Sequence, residues 1–221
     1  MKEIKISDTV RRAALELKII QIEATVKNNP TSDALWKEIE REAALISQKY
    51  EISEFNKRPA IHATRLAYKA LGKDPNRYRP SAEALGRRVL QGKGIYRLTT
   101  LIDAINLISL ATGYSIGGFD ADKIEGDTLT LDAGCKDDIF HAIGRGELNI
   151  EGLPVYRDKI GGIGTPTSDE ERTKLTSDTI HLLMLVNIYG EETSLDDTID
   201  MVKNLLSRHA SLSELNFRII Q

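Results

Sequence analysis

Apolar and polar positions follow two different rhythms along this chain, and the change falls near its middle. The first half is mostly helical in spacing. Two exceptions are Ile4 to Ile6 and Lys18 to Val26, where Ile20, Ile22, Ala24 and Val26 recur at period two, as a half-buried strand requires. Asp8 to Glu16, between them, reads as a short helix. After Pro30, Thr31-Ser32-Asp33 offers N-caps, and Leu35, Trp36, Ile39, Ala43 and Ile46 then predict an amphipathic helix to about Tyr50. Pro59 opens another through Ile61, Arg65, Leu66, Tyr68 and Lys69, closed by Gly72 and Pro75. Further helices are predicted from Ser81 to Leu90, stopping at Gly92, and from Thr99-Thr100 to Gly113.

Beyond Gly113 glycines cluster and short alternating runs take over, which predicts sheet with tight turns. The strands expected are Thr128 to Leu131, Leu148 to Ile150, Leu153 to Tyr156 and Thr179 to Tyr189. A helix from Leu195 to His209 follows the Thr193-Ser194 cap, and Leu215 to Ile220 ends the chain as a strand. Helices first, strands later and strands at both ends predict an α+β fold, with a mixed β-sheet core packed with helices. With 221 residues, 41% of them hydrophobic, the chain can bury one sizeable core, and residues 1–221 are read as a single domain.

The strongest apolar stretch, Leu101 to Ala111, is broken by Asp103, Asn106 and Ser109 and is shorter than the ~20 residues that span a bilayer. The start of the chain alternates charged and aliphatic residues and lacks the apolar run of a secretory signal. The single cysteine, Cys135, can form no internal disulfide. These features predict a cytoplasmic protein with no membrane association, no metal and no cofactor.

Net charge is −3, but it is unevenly spread. From Lys57 to Arg97 eleven bases face two acids, so this segment carries +9 and the rest −12. Such a segment is either a set of solvated helix faces or a footprint for a phosphate backbone, with Arg77, Arg79, Arg87, Arg88 and Arg97 as its candidate RNA contacts. The interleaved Tyr68, Tyr78 and Tyr96 suit splayed single-stranded ends.

Within Leu101 to Ala111 the polar residues Asp103, Asn106 and Ser109 are three apart and share one side of a helix. On a helix otherwise apolar, that stripe either joins a satisfied internal network or lines a cavity. Glu83 stands one turn before Arg87, the spacing of an ion pair. Gly161-Gly162 makes a tight turn or lets backbone N–H groups approach a ligand. Thr165 to Arg172 supplies hydroxyls and Asp169, in a stretch that also reads as a loop. His62, His141, His181 and His209 have no ligand or triad spacing.

The run from Asp103 to Asp120 resembles the pattern D-x-T-N-Y-x-x-x-E-x-G-Q-P-x-H-A-F-D of the phenylalanyl-tRNA synthetase beta-subunit editing domain. Asp103, Asn106, Gly113, Phe119 and Asp120 match in register. Arg79 to Leu90, Gly146-Glu147 and Gly161-Gly162 are similar to stand-alone members, known as B3/B4 domains, and the resemblance is strongest over residues 58–179, with 1–57 as an N-terminal strand and helix portion. Gly117 stands where the pattern has histidine, Tyr114-Ser115 where it has Gln-Pro, and Ile163 where a glutamate follows the glycine pair, so the synthetase's own amino-acid specificity does not carry over.

The resemblance implies a pocket for the aminoacylated 3′ end of tRNA and hydrolysis of a wrongly attached amino acid. Asn106 and Ser109 would fix the amino acid or a water; Asp103, Glu83, Gly161, Gly162, Thr165 and Asp169 would bind substrate. A free-standing deacylase is the leading expectation. A non-catalytic RNA-binding module and a pocket for a free amino acid or small metabolite are the alternatives.

Overall fold

The computed structural model describes residues 1–221. Strand β1 (Glu3–Ile6), helix α1 (Asp8–Ala13) and strand β2 (Lys18–Thr25) open the chain. Four helices follow: α2 (Asp33–Lys49), α3 (Pro59–Ala70), α4 (Ser81–Leu90) and α5 (Thr100–Thr112). The Ser32 hydroxyl accepts from the Leu35 N–H to cap α2, and Pro59 occupies the first turn of α3. Gly113, at φ 76, ends α5 in the left-handed conformation.

Eight strands and one helix form the remainder. These are β3 (Ser115–Asp120), β4 (Thr128–Ala133), the short pair β5 (His141–Ala142) and β6 (Gly146–Glu147), then β7 (Pro154–Arg157) and β8 (Gly162–Gly164). Strand β9 (His181–Ile188), helix α6 (Leu195–His209) and strand β10 (Glu214–Ile220) complete the chain. The fold is α+β. One four-stranded sheet, in the order β10-β2-β9-β3, is antiparallel throughout. The other, β1-β4-β7-β8, is mixed, because β1 runs parallel to β4 and the remaining pairs are antiparallel.

Period-two alternation sorts the side chains of the antiparallel sheet between two cores. Ile20, Ile22 and Ala24 of β2 and Leu182, Met184 and Val186 of β9 pack with Leu35, Ile39, Leu101, Ile108 and Leu205 of the helices. Ile19, Leu183 and Leu185 point the other way, onto Leu129, Leu131 and Tyr156 of the mixed sheet. The result is a layer of helices, a layer of antiparallel sheet and a layer of mixed sheet. Strand β9 is buried on both faces, which accounts for its unbroken apolar run.

Two sequence expectations fail. Leu148 to Ile150 is not a strand; β6 stops at Glu147, and the Asn149 carbonyl accepts from Lys73 Nζ at 3.0 Å. Ser115 to Asp120, absent from the expected strands, is a wholly buried strand. No helix is long and apolar enough to cross a membrane.

Candidate functional site

A cleft of about 620 Å³ opens between α4, α5, β3 and the loops around residues 143–145 and 165–175. Its apolar lining comes from Ile102 and Ile105 of α5, Ile116 of β3 and Leu175. Helix α4 is set against the opposite wall by the Ser81 N–H, which donates to the Pro166 carbonyl at 2.7 Å. Six bases line the cleft, Arg79, Arg87, Arg88, Lys93, Arg145 and Lys174, against one acid, Asp169. Lys174 pairs with Glu171 at 2.5 Å and Arg79 approaches Glu83 at 3.8 Å; neither Lys93 nor Arg145 forms an ion pair. The cleft is therefore a cationic mouth over an apolar interior, suited to an anion that carries an apolar or mixed appendage.

Asp169 is the chemically distinctive group. Its Oδ2 accepts from the Gly118 N–H at 3.2 Å. Glycine is required alongside, since a Cβ on Gly164 would lie 2.7 Å from Asp169 Oδ1. Burial pushes the carboxyl up to about 7, and the opposing pull of the Gly118 hydrogen bond does not restore it. Asp169 thus exchanges its proton near neutral pH while facing a cleft, the property expected of a general base.

Of the polar stripe on α5, two members reach this cleft and one does not. Asn106 lines it, half-buried, and its side-chain amide makes no hydrogen bond to another protein group. Ser109 also lines it, but its hydroxyl donates to the Tyr114 carbonyl at 2.7 Å. Asp103 lies outside and is fully buried; it accepts from Thr31 Oγ1 and from the Leu98 N–H at 3.0 Å. Burial raises its pKa too, against those hydrogen bonds, but its role is to tie the segments before α2 and α5 together.

The remaining expected substrate contacts divide similarly. Thr165 lines the cleft with its hydroxyl engaged, donating to Ser168 O at 3.0 Å and accepting from the N–H groups of Thr167 and Ser168. Glu83 turns inward and pairs with Arg65, not with Arg87, at 2.8 Å. Gly161 and Gly162 are away from the cleft. The Gly161 N–H donates to Asp158 Oδ1 at 3.1 Å, and Gly162 lies in β8 beside Phe140 and Val155.

Among the expected RNA contacts, Arg79, Arg87 and Arg88 border the cleft. Arg97 does not: it donates to Thr31 O at 2.6 Å and Asp33 Oδ1 at 2.7 Å. Arg77 packs on Tyr78, 5.6 Å from the ring centroid, also outside. The sequence reading missed Arg145, Lys174 and Gly118. The first two are isolated bases on loops, and no periodicity signals that they converge with α4 in space. No three His, Cys, Asp or Glu side chains are grouped to hold a metal ion.

Comparison with known proteins gives a family model, described as the B3/4 domain, that matches residues 63–198. Among solved structures the chain is similar to an N-terminal fragment of the phenylalanyl-tRNA synthetase beta-subunit from Pyrococcus horikoshii, at 13% identity and a TM-score of 0.46. That match covers 98% of this chain and 50% of the other, so the chain spans half the length of that fragment. No curated protein matches.

Proposed function

The chain belongs to the B3/4 domain family, and from that premise we propose that its basic cleft receives the aminoacylated 3′ end of tRNA and hydrolyses the ester held there. The observation that carries this reading is a single carboxyl, Asp169, raised to about 7 in a cleft whose other charged groups are all bases. The bases hold the phosphates of the acceptor strand. The interior made by Ile105, Ile116 and Leu175 takes the amino-acid side chain. Ionised Asp169 accepts a proton from a water as that water attacks the ester carbonyl, and the protonated carboxyl returns it to the departing ribose oxygen. The free Asn106 amide orients the carbonyl or the water. The products are a free amino acid and uncharged tRNA.

A panel of mischarged aminoacyl-tRNAs incubated with the 221-residue chain tests the reading. Release of at least one amino acid, lost in Asp169→Asn, is expected. Tight tRNA binding with no release from any substrate leaves a binding module. Neither binding nor release leaves a pocket for a free amino acid or small metabolite.

A further inference from the structure

The loop that leaves α4 is shaped to hold one aromatic ring at the cleft. Gly92 at φ 69 and Gly94 at φ 62 adopt the left-handed backbone that other residues avoid, and the chain turns back on the helix it has just left. Tyr96 thereby comes to rest on Arg88, whose guanidinium carbon lies 4.1 Å from the ring centroid. That distance is well inside the range of a cation–π contact. Arg88 Nη2 also donates to the Lys93 carbonyl at 3.4 Å, and its buried Nε has no hydrogen-bond partner. One face of the ring is therefore fixed by the guanidinium. Tyr96 nevertheless remains 65% exposed and lines the cleft.

The other tyrosines of the basic segment do not compete for this role. Tyr68 is fully buried, with its hydroxyl bonded to Thr167 at 2.8 Å. Tyr78 lies outside the cleft, with Lys73 Nζ over its ring at 3.9 Å. Only Tyr96 presents an open face to the cleft, and the exposed Leu98 and Ile143 share that lining. A flat, polarisable surface backed by a cation, next to the bases Arg87 and Lys93, fits a planar group attached to a phosphate chain.

Resting on the reading above, we propose that Tyr96, braced by Arg88, is the stacking shelf for the unpaired base that ends the acceptor strand. Stacking recognises a π face, so the shelf holds the end of any tRNA and leaves selection of the amino acid to the interior. It also fixes the ribose that carries the ester, and with it the distance from the ester to Asp169.

The test is fluorescence titration of the 221-residue chain into a short RNA ending in CCA, with 2-aminopurine replacing the terminal adenine. Emission is expected to fall on binding to the wild type and to Tyr96→Phe, since the hydroxyl takes no part. Tyr96→Ala and Tyr96→Leu should lose the quench and bind about 5- to 100-fold more weakly, the range for removal of one base–aromatic stack. If both variants quench and bind like the wild type, while anisotropy shows that the RNA is bound, the shelf is refuted and the cleft reading survives. If the wild type does not bind the RNA even at low salt, the cleft reading fails and the shelf falls with it.

Discussion

Asp103, fully buried, and Asp169, half-buried in the cleft wall, both have raised pKa values, and their surroundings give them opposite uses. Asp103 lies outside the cleft, with two donors on its Oδ2 and its buried Oδ1 unpartnered, whereas Asp169 has one backbone donor and faces a space large enough for substrate. Replacing Asp169 with Asn keeps the Gly118 hydrogen bond and removes the base. Deacylation should fall by ~10² or more with tRNA affinity retained, and the wild-type rate should climb with pH and level off above about 7. Stability must move in the opposite sense. The folded carboxyl titrates near 7 and the unfolded one near ~3.9, so the folded state holds the extra proton between these values. Stability should be highest below the lower value, fall as pH rises to about 7, and then stay flat. Urea melts of wild type and Asp169→Asn across that window check the sign, since the variant should lack the fall.

At the scale of elements, the sequence shows helices more plainly than strands. The expected spans of α4 and α6 coincide with those observed, and α5 ends at the expected glycine. Their caps and apolar spacing are local, so they can be read locally. Strand β3 escapes such a reading because Gly117 and Gly118 look like turn residues. They pair with Leu185 and Met184 of β9, and they are glycines because a Cβ would lie 2.6 Å from Phe119 Cζ at the first and 2.4 Å from Ile105 Cδ1 at the second. The polar stripe on α5 is legible as a face, but not the fact that its first turn lies under Thr31, beyond the cleft. Gly86 in α4 is another close approach, where an added Cβ would sit 2.0 Å from Phe55 Cζ. Gly86→Ala should cost about 1–3 kcal/mol in denaturant unfolding. It should also weaken RNA binding by displacing Arg87 and Arg88. Gly161→Ala, where an added Cβ meets nothing within 4 Å, should alter neither property.

For the molecule as a whole, the +9 segment overstates the charge available to a partner. Arg58 caps the end of α5 and pairs with Glu192, Arg65 is spent on Glu83, and Lys73 is bonded to Asn149. The cleft recovers part of that loss by borrowing Arg145 and Lys174 from the second half of the chain. The placement of charge is thus a property of the fold, and a count along the sequence gives only its approximate size. Replacing Arg79, Lys93 and Arg145 together with Ala should flatten the log–log dependence of RNA affinity on salt by ~0.7 for each phosphate that the protein no longer neutralises. Arg97→Ala, which frees Thr31 and Asp33 of their guanidinium partner, should leave that slope unchanged. Affinities measured from low to moderate salt separate the two outcomes.

The position of β2 between β10 and β9 bears on how the chain reaches this state at all. Thr25 pairs with Glu214, and Ile22 with Met184, so the pairings that complete the central sheet join distant parts of the polypeptide. The family match at residues 63–198 omits both β2 and β10. Made alone, that stretch would leave β9 unpaired on one edge and the helical core without Ile20, Ile22, Leu35 and Ile39. It should show no cooperative melting transition by circular dichroism, whereas the full chain should melt cooperatively. Because loop closure across nearly the whole length precedes the pairings that reward it, refolding should also be slow for a chain of this size. The unit recognised by kinship, residues 63–198, is thus expected to be smaller than the unit that folds.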